Sequence, residues 1–184
     1  MMKKIKLIIA SLFLVIMPTA SFALIDVAAF GSYTFSSGSP INTGGLGYGF
    51  DAHLNTTFLT VFKTGFGGYY RTSDVKIDVL GVNEKFPKQQ LGIDLYGALS
   101  IPIFPMEPYL KFRAAALEKI GGSFNSTEHF KAYSWGFGIL FNMFPISSIM
   151  KVGLYGEFLC DVSKNSGKRG DGHTFNLGVR VDLF

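Results

Sequence analysis

The amino-acid sequence predicts an all-β protein: a closed, antiparallel up-and-down barrel of eight transmembrane strands, preceded by a cleavable signal peptide. Three observations support this prediction. Apolar and polar residues alternate with a period of two along most of the chain, the alternating stretch recurs eight times, and a short basic and apolar leader opens the sequence. Because successive side chains of a strand point to opposite faces, the alternation separates an apolar face from a polar one. A chain of 184 residues has room for one such domain.

The leader has the layout of a secretory signal peptide. Three lysines precede an apolar run over residues 7–17, and the small-residue pattern Ser21-Phe22-Ala23 follows. The run is too short for a transmembrane helix, which needs about 20 apolar residues. We therefore expect cleavage after Ala23, with the signal peptide at 1–23 and the barrel at 24–184.

The composition argues against several classes of protein. Loss of the leader removes three of the 17 basic residues and none of the 13 acidic ones, so the formal charge becomes 14 − 13 = +1. A nucleic-acid partner is therefore not expected. The single cysteine, Cys160, cannot form an internal disulfide. With 48% hydrophobic residues and 22 glycines, the chain also differs from a soluble helical domain.

The first four strands are predicted at residues 24–36, 44–55, 58–71 and 88–101. One parity of each segment is apolar, and its members are Ile25, Val27, Ala29, Tyr33 and Phe35, then Leu46, Tyr48, Phe50, Ala52 and Leu54, then Phe58, Phe62, Phe66 and Tyr70, then Leu91, Ile93, Leu95, Leu99 and Ile101. The other parity is polar or small, with Phe30 as an exception. The third segment is the least regular, because two threonines fall on its apolar parity.

The last four strands are predicted at residues 108–118, 131–143, 149–161 and 173–184. Their apolar parity consists of Leu110, Phe112, Ala114 and Ala116, then Tyr133, Trp135, Phe137, Ile139, Phe141 and Met143, then Met150, Val152, Leu154, Phe158 and Cys160, then Phe175, Leu177, Val179, Val181 and Leu183. Leu117 and Glu118 break the alternation, and Leu140 is apolar on the polar parity. Segments of this length can cross a bilayer as tilted strands, and an even number places both termini on one side.

The connections between the segments alternate in length. The short ones are 56–57, 102–107 and 144–148, and the longer ones are 72–87, 119–130 and 162–172. Short periplasmic turns and longer external loops are typical of membrane barrels, and only the first external connection, 37–43, is short. Within 72–87 apolar and charged residues still alternate, so we expect strands three and four to continue outward as a hairpin that can pair with another strand. The alternative is a solvated loop with no partner.

The polar parity carries nine charged residues that we expect to form a structural ion-pair network inside the barrel: Asp51, Lys63, Asp94, Lys111, Arg113, Lys151, Glu157, Arg180 and Asp182. Many glycines lie among them, which suits the crowded interior of an eight-stranded barrel. A basic residue facing lipid would cost about 2–4 kcal/mol at the midplane. We expect Lys111 and Arg113 to pair with acids such as Asp94, Glu157 and Asp182. A soluble periplasmic barrel, with the apolar parity inside, is the alternative.

These features resemble the small outer-membrane barrels of the OmpA, OmpX and OmpW type. The resemblance rests on the signal peptide, the eight amphipathic strands, Pro108-Tyr109-Leu110 at the start of a strand and the terminal Phe184. It implies an integral protein of the outer membrane of a Gram-negative-type bacterium, in contact with membrane lipids and lipopolysaccharide. It also implies insertion by the barrel-assembly machinery, which in that family recognises a C-terminal aromatic residue on the lipid-facing parity. Here Phe184 has the parity opposite to that of Leu183.

The sequence favours a non-enzymatic protein with a structural or surface-interaction role, exerted through external loops towards an unidentified ligand, and with an interior filled by side chains. A narrow passage for small hydrophobic molecules is the first alternative. A lipid A-modifying enzyme is the second, because His173 lies near Asp171, Ser163 and Ser166 in the sequence, although no stretch matches the His-x-Ser motif of lipid A deacylases.

Two further expectations concern ligands. Lys164, Lys168 and Arg169 make the last external loop basic, so cations there can contact phosphates of lipopolysaccharide. His53 and His129 lack a second metal ligand at a useful spacing, so neither a metal nor another cofactor is expected.

Overall fold

A computed structural model of the chain describes residues 21–36, 41–42, 44–58, 61–79, 82–100, 104–120, 125–126, 132–147, 149–165 and 168–183. The eight long strands are β1 (Ser21–Ser36), β2 (Gly44–Phe58), β3 (Phe62–Val79), β4 (Val82–Leu99), β5 (Met106–Ile120), β6 (Ala132–Ser147), β7 (Met150–Asn165) and β8 (Lys168–Leu183). Two short segments, Ile41–Asn42 and Asn125–Ser126, pair with β3 and β5. No helix among the described residues is long and apolar enough to cross a membrane.

The sheet closes on itself. Each long strand pairs antiparallel with the next along the chain, and β8 pairs with β1 from Ile25 opposite Leu183 to Ser36 opposite Gly172. The predicted closed antiparallel barrel of eight strands is therefore confirmed. We call the end at Ile25 and Leu183 the terminal end, and the opposite end the loop end.

The register of the strands fixes the width of the barrel. A circuit of paired residues that leaves β1 at Asp26 and passes through the other seven strands returns to β1 at Ser36, 36 − 26 = 10 residues nearer the loop end. With strands about 4.8 Å apart and a rise of about 3.3 Å per residue, this shear gives a tilt of about 40° and a backbone radius of about 8 Å. Side chains alone can fill such an interior.

The two parities of the strands face the two sides predicted from the sequence. On the apolar parity, Leu46 is 75% exposed and Leu110 is 71% exposed. On the polar parity, Asp94, Arg113 and Glu157 are each only 1% exposed. The apolar parity therefore forms the outer wall, and the polar parity lines the interior.

A β-bulge in β5 explains why the alternation fails at its loop end. Gly92 lies opposite Ala115, whereas Leu91 lies opposite Leu117, so Ala116 is an extra residue in the ladder. Such a residue shifts the parity of everything that follows it. Glu118 consequently turns inward, where it accepts a hydrogen bond from Gln90.

The apolar exceptions to the pattern form a core inside the barrel. Phe30 and Leu140 are buried there together with the rings of Tyr96, Tyr109 and Tyr155. The interior makes room for these rings with glycines that pair with them on the neighbouring strands. A Cβ atom at Gly49 would overlap the ring of Phe30, and one at Gly65 would overlap that of Tyr96.

Two of the expected long loops are largely strand. β3 and β4 extend to Val79 and Val82, as predicted for residues 72–87. β7 and β8 extend in the same way to Asn165 and Lys168, so the connection expected at 162–172 is mostly a hairpin. Residues 1–20 of the predicted signal peptide 1–23, together with His129 and Phe184, lie outside the described residues. Ala23 lies in β1, so the predicted cleavage would remove the first three residues of that strand.

Candidate functional site

The charged side chains of the polar parity meet inside the barrel in a central cluster that we define as Asp51, Asp94, Lys111, Arg113 and Glu157. These residues belong to four different strands. The alternation along each strand directs all of them inward, and the register between strands places them at similar heights in the barrel. Lys111 Nζ and Arg113 Nη2 each lie 2.7 Å from Asp51 Oδ2. Both cations also lie within 3.5 Å of Asp94 and Glu157. Two cations therefore contact three carboxylates.

Aromatic rings and amides complete the surroundings of the central cluster. The Arg113 guanidinium carbon lies 5.1 Å from the ring centroid of Phe30 and 5.0 Å from that of Tyr69. Such contacts add cation–π attraction at a buried site. Glu157 accepts hydrogen bonds from the Tyr109 hydroxyl at 2.9 Å and from Asn176 Nδ2 at 2.7 Å.

A second group of side chains, the lower cluster, lies towards the terminal end and consists of Asp26, Asn55, Lys63, Tyr96, Arg180 and Asp182. Arg180 contacts Asp26 and the Tyr96 hydroxyl through Nη2, and donates from Nε to Asp182 at 2.9 Å. Lys63 Nζ donates to the other Asp182 oxygen at 3.2 Å. Asn55 Nδ2 donates to Asp26 at 2.5 Å.

His53 links the lower cluster to the central one. Its Nδ1 lies 2.7 Å from Asp26 Oδ1, and its Nε2 lies 2.9 Å from Asp94 Oδ1, the second contact being poorly aligned for a hydrogen bond. The two clusters together hold five carboxylates and four permanent cations, namely Asp26, Asp51, Asp94, Glu157, Asp182, Lys63, Lys111, Arg113 and Arg180. Protonation of His53, which lies between two of the carboxylates, would balance the charges of this set.

A third group, the upper cluster, lies nearer the loop end and is less enclosed. Arg71 Nη2 donates to Gln90 at 2.8 Å, and Arg71 Nη1 lies 3.3 Å from Asp161. Asp161 also accepts hydrogen bonds from the hydroxyls of Ser134 and Thr174. Gln90 Nε2 donates a hydrogen bond to one carboxylate oxygen of Glu118, and the second oxygen of Glu118 lies 3.4 Å from Lys88 Nζ. Polar contacts therefore occur at three levels of the interior between the terminal end and the loop end.

Ligand atoms of Asp26, Asp51 and His53 all lie within 4.8 Å of one another, which is close enough to hold a metal ion. The carboxylates already contact Arg180, Lys111 and Arg113, and both nitrogens of His53 face carboxylates. A metal ion would have to displace these cations from a fully enclosed site. The arrangement suits structural ion pairing better than metal binding.

The structure brings eight of the nine predicted network residues together in the buried clusters. Lys151 differs: it is exposed at the terminal end of β7, opposite Asp182 in the ladder. The pairing also differs in detail, because Asp182 contacts Lys63 and Arg180 rather than Lys111 or Arg113.

Several members of the clusters are not among the nine predicted network residues, although all of them lie on the polar parity. They are Asp26, Asn55, Arg71, Tyr96, Tyr109, Asp161 and Asn176. Parity alone could have identified them as interior residues. Lys164, Lys168 and Arg169 lie in the β7–β8 hairpin, where Arg169 is opposite Lys164 and Lys168 is opposite Asn165, but their side chains are not among those described.

One of three comparisons with known proteins supports the fold. No family model matches the chain. No curated protein matches it either. Among solved structures, the chain is similar to Neisserial surface protein A (NspA), with a TM-score of 0.51 and 16% sequence identity over 89% of this chain and 97% of that one. At this identity the likeness establishes a common barrel architecture.

Proposed function

We propose that the mature chain is an integral outer-membrane protein, a sealed and non-enzymatic barrel that acts through its external hairpins as a structural or surface-interaction element. The main support for the proposal is that the apolar and polar faces of the barrel are reversed relative to those of a soluble barrel. Large apolar side chains lie on the outer wall, while ionised ones fill the interior. A soluble barrel has the opposite arrangement, because it must bury its apolar side chains from water.

The energetics of a bilayer favour this placement. In hydrocarbon, every backbone polar group needs an internal partner, and closure of β8 onto β1 removes the sheet edges that would lack one. Closed antiparallel barrels with an even number of strands are the form in which bacterial outer-membrane proteins cross the bilayer. The predicted signal peptide and the similarity to a protein described as a Neisserial surface protein support the same location.

The filled interior favours a sealed barrel over a passage for small hydrophobic molecules. Leu140 is buried alongside the rings of Phe30, Tyr96 and Tyr155, and Leu159 is buried as well. The salt bridges of the central cluster cross the same space between strands. A solute would have to break several buried ion pairs in order to pass.

The partners that we propose follow from this location. Membrane lipids would cover the outer wall, and the barrel-assembly machinery would insert the chain. Lys164, Lys168 and Arg169 of the β7–β8 hairpin would meet the phosphates of lipopolysaccharide.

Folding and conductance measurements test the proposal. The refolded mature chain should require detergent or lipid, and should migrate differently on a gel with and without boiling. Planar bilayers that contain the folded barrel should show no conductance above background. A monomer that is stable in buffer without detergent would exclude the membrane barrel, and regular conductance steps would exclude the sealed interior.

A further inference from the structure

His53 lies where the lower and central clusters meet, and it is only 3% exposed. On β3 its paired residue is Gly67, which has no side chain, so the groups around the imidazole come from other strands and from its own. The titratable groups that face it are Asp26 from β1, Asp51 from its own strand, and Asp94 and Tyr96 from β4. The cations behind these carboxylates are Arg180 next to Asp26, and Lys111 and Arg113 next to Asp51 and Asp94.

Both ring nitrogens of His53 face a carboxylate oxygen at contact distance. Nδ1 lies 2.7 Å from Asp26 Oδ1, and Nε2 lies 2.9 Å from Asp94 Oδ1. A neutral imidazole has one N–H, and its other nitrogen presents a lone pair. Whichever nitrogen lacked the proton would therefore place its lone pair against a carboxylate oxygen, with no room for water between them. Only the imidazolium has an N–H for both carboxylates.

The contact on the Asp94 side depends on charge more than on hydrogen bonding. His53 Nε2 and Asp94 Oδ1 are both buried, and neither has a hydrogen-bond partner among the described residues. At 2.9 Å the two atoms are close enough for strong Coulomb attraction when the imidazole is charged. With a neutral imidazole, these two buried polar atoms would lack compensation, which is costly inside a protein.

The carboxylates of the two clusters are less suited to hold this proton. Each of the five contacts at least one permanent cation: Asp26 contacts Arg180, Asp182 contacts Lys63 and Arg180, and Asp51, Asp94 and Glu157 contact Lys111 and Arg113. In water a carboxyl group takes up a proton only near pH 4, whereas imidazole does so near about pH 6.5. His53 is therefore the group best placed to supply a fifth positive charge.

We infer that His53 is held as an imidazolium in the folded barrel and forms a pH-sensitive link between the lower and central clusters. The unfolded chain loses this proton near about pH 6.5, whereas the folded barrel keeps it, so folding above that pH takes up one proton. The contribution of His53 to stability is then fully present below about pH 6.5 and is lost progressively as the pH rises. This inference concerns the interior of the barrel and goes beyond the proposed function.

Nitrogen NMR reports the protonation state of His53 directly. The folded barrel is prepared in detergent micelles with isotope-labelled histidine, and the variant His53→Gln identifies the His53 signals among those of the three histidines. At about pH 7.5 we expect both His53 nitrogens to have the shifts of an imidazolium, whereas the chain unfolded in urea should show neutral imidazoles. A neutral imidazole at His53 in the folded barrel would overturn the inference, because a carboxyl group would then hold the proton.

Urea unfolding in lipid vesicles measures the consequence for stability. Between about pH 7 and pH 8, the ratio of unfolded to folded chain should rise about tenfold more in the wild type than in His53→Gln, since glutamine has no proton to lose. His173→Gln is the matched control, because the His173 ring packs on Phe35 and Phe158 of the outer wall instead of between carboxylates. This control should keep the pH dependence of the wild type.

The two measurements distinguish failure of this inference from failure of the proposed function. Equal pH dependence of the wild type and His53→Gln would overturn the pH-sensitive link, while the membrane location stands. If His53→Gln does not fold, the wild-type spectrum still decides, with the His53 signals assigned by elimination from His129→Gln and His173→Gln. A chain that folds only without detergent or lipid would overturn the membrane location, and its spectrum in buffer would decide the state of His53 in the same way.

Discussion

The interior and the outer wall of this barrel are built from alternate residues of the same strands, and they depend on their residues in different ways. Inside, each charged group has particular partners at particular distances, as Arg113 has in Asp51 and Glu157. Outside, on the proposed lipid-facing wall, side chains such as Leu110 and Leu46 would need only be apolar, because lipid adapts to their shapes. The effect of a substitution on stability should therefore depend on lost partners in the interior and on the polarity of the new side chain on the outer wall.

The largest effect is expected at the centre of the interior. Arg113→Met keeps an unbranched side chain of similar length but removes the cation from three carboxylates. Because a buried charge then lacks compensation, the free energy of unfolding should fall by about 3–5 kcal/mol. Urea unfolding in lipid vesicles measures this, with Arg113→Lys as the milder control. An unchanged midpoint would show that the central cluster contributes little to stability.

A smaller loss is expected when a charge is placed on the outer wall. Leu110→Arg puts a cation at a position that is 71% exposed on the apolar parity, between Gly97 and Phe137 in the ladder. The cost should be about 2–4 kcal/mol if the position lies near the midplane. Leu110→Phe, which stays apolar, should change the same unfolding free energy little. Equal tolerance of both variants in vesicles would contradict the lipid-facing assignment of the wall.

The smallest effect is expected at the loop end of the interior, where solvent reaches the charges. Glu118→Gln removes the ion pair with Lys88 but keeps a hydrogen-bonding group next to Gln90. The loss should be below about 1 kcal/mol and should shrink further in high salt, since partly exposed pairs are screened. A loss as large as that of Arg113→Met would show that enclosure does not set the strength of these contacts.

The sequence predicts the two faces of this barrel better than the pairing within them. Parity placed Asp94, Arg113 and Glu157 inside, because alternation is a property of each strand alone. It could not show that Asp182 contacts Lys63 and Arg180, since that depends on the register between strands. The bulge at Ala116 could not be predicted either, because it depends on where the register between β4 and β5 shifts.

The row of aromatic residues formed on the outer wall by Phe137, Phe158, Phe175 and Tyr33 was also beyond the reach of the pattern. Its residues come from four strands and are up to 175 − 33 = 142 positions apart, so only the strand pairing brings them together. Lys151 shows the converse: its parity is that of the interior, but its position at the end of β7 leaves it exposed.

The contact between the first and last strands also governs how the molecule can be made. Ile25 and Leu183 face each other although 183 − 25 = 158 residues separate them, so the seam can form only after the final strand has emerged from synthesis. Until then both margins of the growing sheet remain open to pairing with foreign strands. Contacts this distant in sequence make spontaneous assembly slow. A chain truncated before β8 would expose two unpaired margins at once and should aggregate instead of maturing.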